Sequence, residues 1–319
     1  MQAKPLLIRP STSRRRGTKR GRRWLPLILS TTAALFMLYF GLSAYMAATL
    51  SRTEREAITS SPKDYGLFYQ DVSFPSAEDQ LTLKGWFIPS PGSTRALILV
   101  HGMGHHRDAP DIKMLLLGSK LVRQGFSVLQ FDLRGYGESE GKRFSLGFYE
   151  PRDVRGAVDY LIKRGYAPGH IGVIGWSMGA ATAIISTARD PRIGAVVADS
   201  GYADLTDILH CQIPKRSHLP DIFTPGILEM AKLMYGIDVS KIRPVNAISQ
   251  IAPRHIMIVH GTADPMVPVK NAFRLFDRVA DKNANQLWIV PNVVHAAAFK
   301  TRPDVYAQRV SSFFYKELR

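Results

Sequence analysis

Hydrophobic and polar positions divide the chain into three unequal regions. Residues 1–23 are polar and basic. Residues 24–51 then run without one charged side chain, with Leu35-Phe36-Met37-Leu38-Tyr39-Phe40 at their apolar centre. From residue 67 onward, short apolar runs alternate with amphipathic stretches. The first two such runs, residues 67–74 and 81–88, flank Pro75-Ser76-Ala77-Glu78-Asp79. Alternation in Leu81-Thr82-Leu83-Lys84-Gly85-Trp86 predicts a half-buried antiparallel pair.

After Pro89-Ser90-Pro91-Gly92 the pattern changes. It predicts strands at 96–100, 127–131, 171–174, 195–198, 256–259 and 286–290. Helices are predicted between and after them at 110–124, 151–164, 178–188, 269–279 and 303–317. This alternation marks an α/β fold: a mostly parallel eight-stranded sheet with helices on both faces. Residues 201–252 interrupt it with Pro214, Pro220, Pro225 and Pro244 and an apolar helical stretch at 227–235. An excursion from the carboxyl end of a strand leaves on the face where such sheets bind ligands. We read it as a small helical cap; a helix packed only on the body is the alternative. Residues 52–66, polar and containing Pro62, read as a linker, and 67–319 as one domain.

The uncharged stretch changes the picture most. As a helix, residues 24–51 would extend about 42 Å, more than the roughly 30 Å hydrocarbon core of a bilayer. They read as a transmembrane anchor. A cleaved secretory signal has the same order of parts, but its apolar region is only about 7–15 residues long. Met46 or Tyr45 would also fall where cleavage near Ala47-Ala48 wants small residues. The formal net charge is +16, and nine Lys or Arg with no acid lie in residues 1–23. Arg52, Glu54, Arg55 and Glu56 nearly cancel after the span. The expectation is a single-pass membrane protein with a cytoplasmic N-terminal tail and everything past residue 51 outside the cytoplasm. The tail either serves topology alone or binds anionic head groups. The remaining surplus of +7 is modest, so nucleic acid is not an expected partner. Cys211, the sole cysteine, excludes an intramolecular disulfide and leaves the compartment open.

The chemistry centres on Gly175-Trp176-Ser177-Met178-Gly179, between the apolar run at 171–174 and a small-residue helical stretch. A strand turning sharply into a helix with Ser at the apex presents a nucleophile, and the glycines remove Cβ atoms that would collide with it. Such a serine needs a base, an acid to orient the base, and donors for an oxyanion. Asp264, just past the predicted strand 256–259, is the candidate acid. His295, after the predicted strand 286–290, is the candidate base. The backbone N–H groups of Met178, at the helix start, and Met103, within His101-Gly102-Met103-Gly104, are the candidate oxyanion donors.

These residues carry a family resemblance. With Asp132-Leu133-Arg134-Gly135-Tyr136-Gly137-Glu138-Ser139, Gly261-Thr262-Ala263-Asp264 and Val267-Pro268, the chain resembles α/β-hydrolase superfamily serine hydrolases over roughly residues 65–317. Within them it resembles the membrane-anchored sort often labelled serine aminopeptidase-like. The resemblance implies the α/β-hydrolase fold, acyl transfer through Ser177, and no metal or organic cofactor. Such proteins commonly carry Gly before the histidine; here it is Val294. A small ester or acyl substrate is the first expectation and a peptide or amide the second. A non-catalytic binding protein at the membrane is the reading of another class. Oligomeric state is left open.

Other polar residues have plainer readings. Asp199 ends a predicted strand and is an alternative acid. His105, His106 and Asp108 suggest metal ligation, yet no second cluster completes a set, and they read as loop residues near the entrance. Asp132 and Arg134 are expected to bond the turn after their strand, and His101 and His260 to be structural. His210, His218 and Cys211 fall in the cap without a nucleophile's setting.

Overall fold

The computed structural model describes residues 24–318. The basic tail at 1–23 lies outside the described residues. In chain order, helix α1 (Trp24–Leu50) precedes a hairpin of β1 (Gln70–Pro75) and β2 (Thr82–Ile88). Then follow β3 (Ala96–Val100), α2 (Met114–Arg123), β4 (Ser127–Phe131), α3 (Glu150–Lys163), β5 (Ile171–Trp176), α4 (Met178–Arg189) and β6 (Ile193–Asp199). After β6 come α5 (Leu205–Ser217), α6 (Thr224–Tyr235) and α7 (Pro244–Ala247). The last part is β7 (His255–Gly261), α8 (Lys270–Phe276), β8 (Gln286–Val290), α9 (Ala298–Thr301) and α10 (Pro303–Glu317).

The eight strands form one sheet in the order β1-β2-β4-β3-β5-β6-β7-β8, in which β1–β2 and β2–β4 pair antiparallel and the rest parallel. This is the α/β-hydrolase fold. The period of two explains its layers. In β3, Ile98 and Val100 face a core shared with α3, α4 and α8, while Leu97 and Leu99 face one shared with α2 and α10. Strand β7 repeats this with Ile256 and Ile258 on one side, Met257 and Val259 on the other. The central strands are buried on both faces, which is why they read as unbroken apolar runs.

Three local features differ from the pattern read in the sequence. The helix expected at 110–124 starts at Met114, because Pro110 to Lys113 make a turn. Residues 52–66 are tied to the domain. The Arg55 guanidinium donates to the carbonyls of Gly137 (2.7 Å), Ser139 (2.6 Å) and Gly141 (3.1 Å), and Ser60 N–H to Asp108 (3.1 Å). The third is α5, a helix that the prolines of the insertion concealed. Pro214 lies near its end, after the turns that set its direction.

The turn after β4 is held by charges as expected. Asp132 accepts the N–H groups of Arg107 (2.7 Å) and Glu138 (2.9 Å). Arg134 grips both oxygens of the fully buried Asp153 at 2.8–3.2 Å and reaches Asp79 (2.6 Å) and Ser76 Oγ (3.0 Å). Burial pushes the Asp153 carboxyl up, and the Arg134 charge opposes it. Removing one partner strands the other's charge in the interior. Asp153→Ala should therefore cost about 3–5 kcal/mol, read as a lower urea midpoint at unchanged slope. Lys120→Ala, which breaks the exposed pair with Asp304, should cost less than about 1 kcal/mol. Equally small losses in both would show that the pair does not tie β4 to α3.

Candidate active site

Ser177 sits between β5 and α4 with φ 55° and ψ −115°, a conformation that L-residues rarely adopt. Its N–H donates to the Asp199 carbonyl (2.9 Å), and its own carbonyl accepts the N–H groups of Ala180 (3.0 Å) and Ala181 (3.2 Å). A Cβ on Gly102 would lie 3.3 Å from the Trp176 carbonyl and 3.5 Å from Ser177 Cβ, so the loop after β3 runs along the elbow. Met103, Met178 and Ser177 line one cavity. The Met178 N–H, in the first turn of α4, has no intrahelical acceptor.

The loops after β7 and β8 are stitched together. Thr262 N–H donates to the Val290 carbonyl and Ala263 N–H to that of Val293, both at 3.0 Å, and Asn292 N–H to Thr262 Oγ1 at 2.8 Å. That register brings Asp264 Oδ2 to 2.7 Å from His295 Nδ1. Asp264 Oδ1 accepts the N–H groups of Met266 (2.9 Å) and Val267 (2.8 Å), and His260 Nε2 lies 3.3 Å from Oδ2. Burial pushes the Asp264 carboxyl up, but hydrogen bonds from His260 and His295, the His295 charge and the Val267 N–H outweigh it. The group is held well below the usual carboxylate range. An ionised Asp264 accepts from Nδ1–H and leaves Nε2 of His295 as the basic nitrogen.

Asp199 is not the partner of His295. It is fully buried, accepts from Ser200 Oγ (2.9 Å) and faces the Tyr306 hydroxyl. Burial pushes it up to about 6, against the pull of Ser200 and Tyr306. The histidines read as structural are bonded accordingly. His101 Nε2 accepts Leu133 N–H (3.0 Å), so Nδ1 carries the proton toward the Gly102 carbonyl (2.8 Å). Burial lowers this group to about 3. His105 pairs with Asp111 (3.3 Å), and Asp108 donates its N–H to His106 Nδ1 (3.2 Å). Among the described residues no group of three or more His, Cys, Asp or Glu is placed to hold a metal ion.

Two contributions escaped the sequence reading. Ser200, at φ 55°, accepts the Ala296 N–H (3.0 Å) and so fastens the His295 loop to the strand beside Ser177. Nothing in its sequence setting marks that role. The second is α5: Leu205, Ile208, Leu209, Gln212, Ile213 and Arg216 face the cavity. Their spacing is that of one helical face and could have been found. In α6 the cavity is lined by Ile227, Leu228 and Ala231. Met230 packs behind this wall, against the cluster of Ala47, Ile213, Ile227 and Ala231, and Met234 is exposed; neither lines the cavity.

Known proteins agree with this architecture. The chain matches the prolyl oligopeptidase family over residues 117–319. The YfhR protein of Escherichia coli K12 is 27% identical over 256 residues, covering 78% of this chain and 81% of its own. The human serine hydrolase BPHL is 30% identical over 196 residues, covering 54% of this chain and 64% of its own. Among solved structures, Pyrococcus furiosus esterase Pf2001 is similar with a TM-score of 0.68 and 27% identity, over 84% of this chain and 100% of that one. The motif resemblance is thus met at the level of the superfamily: the chain belongs to the prolyl oligopeptidase family and is a serine hydrolase of α/β-hydrolase fold.

Proposed function

We propose that the protein hydrolyses carboxylic esters with an apolar acyl group, through an acyl-Ser177 intermediate. The observation that carries this reading is the cavity at Ser177. Its space of about 130 Å³ is many times what one water needs, and side chains such as Leu205, Leu209, Ile213, Ile227 and Val267 wall it. The similarity to an esterase of known structure supports the same choice. The family match favours a peptide or amide as the second reading.

In the proposed mechanism His295 Nε2 takes the Ser177 proton as Oγ attacks the ester carbonyl. The oxyanion is received by the N–H groups of Met178 and Met103, the former at the positive end of α4. Asp264 holds the imidazolium that forms. Collapse breaks the bond to the alcohol, which leaves with the proton from His295. Water then attacks the acyl-serine by the same route, releasing the acid and restoring Ser177.

Ser177→Ala and His295→Ala should each lower kcat by roughly 10⁶, and Asp264→Asn by roughly 10⁴, in nitrophenyl ester turnover. Near-normal turnover by Ser177→Ala would end the proposal. Asp199→Asn tests the alternative acid and should keep turnover within a few-fold. Its folded-state pKa of about 6 lies above the unfolded value of about 3.9. The native state therefore binds the extra proton, and stability falls as pH rises from about 4 to about 6. Asp199→Asn should flatten that fall. A turnover loss matching that of Asp264→Asn would reassign the acid.

Along a series of nitrophenyl esters, each added methylene buried is worth about 0.8 kcal/mol, so kcat/KM should climb severalfold per carbon at first. Leu209→Ser and Leu228→Ser should flatten the climb, whereas Met234→Ser, outside the cavity, should leave it parallel to wild type. Parallel profiles for all three would remove the acyl-pocket reading.

The charge asymmetry around α1 supports a single-pass anchor with the catalytic domain outside the cytoplasm. Protease added to sealed right-side-out vesicles should then digest the domain after residue 51. Full protection, or a mature chain beginning near residue 49, would reject this topology.

A further inference from the structure

Part of the cavity wall is the apolar helix α1. Ala47, Leu50 and Ser51 line the same space as Ser177. That end of α1 is firmly fixed. Arg143 donates to the Ala48 carbonyl (2.5 Å) and to Ser51 Oγ (2.9 Å), and its guanidinium lies 3.9 Å over the Tyr235 ring of α6. A cation on the last carbonyls also suits the helix dipole. Higher on α1, Tyr39 stacks on Phe223 with ring centroids 5.1 Å apart, donates to the Ile222 carbonyl (2.9 Å) and accepts Gly226 N–H (3.1 Å). Ser43 and Ala47 are buried in this seam. A Cβ on Gly226 would stand 2.6 Å from Ser43 Oγ, so small residues let the two helices approach closely.

The length of α1 adds a geometric constraint. The part exposed on every side is residues 24–38, which rise about 22 Å along the axis. A hydrocarbon core of about 30 Å needs about 20 residues. The exposed part is therefore too short, and a bilayer spanned by α1 must reach to about residue 43, counted at that rise. There α1 is already packed on Phe223 and Gly226. With α1 spanning, the insertion that roofs Ser177 would sit within the outer interface of the membrane. Its surface fits that position: Ile222 and Leu233 are 71% and 75% exposed.

We infer that α1 is a working wall of the acyl site, and that the site draws its substrate sideways from the outer leaflet. The substrate class is a long-chain acyl ester resident in the bilayer. Its chain lies between α1, α5 and α6, and its carbonyl reaches Ser177. The inference rests on the hydrolase reading of Ser177 and on the spanning reading of α1.

The test uses the full chain in phosphatidylcholine nanodiscs and a fluorophosphonate whose long alkyl chain ends in a photoreactive diazirine. Ser177 Oγ bonds to phosphorus, fluoride leaves, and the hydroxyl proton passes to His295; irradiation then marks whatever touches the chain. Adducts are expected on residues 47–51 and 227–231. A labelled Ser177 whose adducts avoid residues 39–51 overturns the inference, as does a chain that begins past residue 47. Failure of Ser177 to react with either this probe or a short soluble fluorophosphonate overturns instead the hydrolase reading beneath it, whereas labelling by the short probe alone overturns the inference. The route is read from a second variant, Ile222→Glu with Leu233→Glu, which places charges where the lipid should be. It should slow labelling by the bilayer-held probe about tenfold and leave the short probe at the wild-type rate. An unchanged long-probe rate, or an equal drop with both probes, would remove the bilayer route.

Discussion

A Cβ on Gly175 would stand 2.1 Å from the Gly179 carbonyl oxygen, and one on Gly179 would stand 2.1 Å from that of Val100. No other residue fits at either place, because backbone atoms cannot retreat as a flexible side chain can. This close approach lets α4 leave β5 at once and holds Ser177 at φ 55°. Ser200 and Ala296, at φ 55° and 53°, carry the same kind of strain, on the order of 1–3 kcal/mol each. They persist because they bond to one another's strands. Ser177 N–H meets the Asp199 carbonyl, Ser200 N–H the Val259 carbonyl, and Ala296 N–H the Ser200 hydroxyl. Strain and its restraint thus run across the strand ends from the nucleophile to the candidate base.

Two carboxylates near this line are shifted in opposite directions: hydrogen bonds outweigh burial at Asp264, and burial outweighs them at Asp199. Asp264 receives two backbone N–H groups on one oxygen and His295 on the other, so it is ionised. Asp199 is fully buried, and that burial pushes it up to about 6 against the pull of Ser200, Tyr306 and the two histidines. Geometry separates them: the Asp264 carboxylate lies 2.7 Å from His295 Nδ1, whereas Asp199 is turned to Ser200 and Tyr306, even though both residues end or follow strands of the same sheet.

Much of this was legible in the sequence. The strands appear as apolar runs because parallel central strands are covered on both faces, and all eight lie where those runs are. The elbow was legible because the glycines it needs are fixed by sterics at Gly175 and Gly179. Ser200 was not, since its role depends on a neighbour 96 residues away. Helix α5 was hidden for a different reason. Pro214 suggests a break, yet it falls in the last turns of the helix, where the apolar face of Leu205, Ile208, Leu209 and Ile213 is already laid down. The methionines of α6 drew attention by composition, whereas its cavity face is set by Ile227, Leu228 and Ala231.

The dual character of α1 was illegible for a reason that hydropathy alone cannot overcome. A helix apolar all round gives the same signal whether a given side meets lipid or protein. What distinguishes the docked side is size rather than polarity. Ser43 and Ala47, one α-helical turn apart, are small and buried, whereas Leu35, Phe36, Met37 and Leu38 are large and exposed. Between lipid and protein there is little hydrophobic gain from pairing helices, so packing must come from close backbone approach. Gly226 supplies the matching surface on α6. The helix that reads as a tether is thus continuous, within one seam, with the cavity that reaches Ser177. A helix that spans a bilayer with this seam would set the cavity beside Ser177 about one to two turns beyond the hydrocarbon, at the membrane interface.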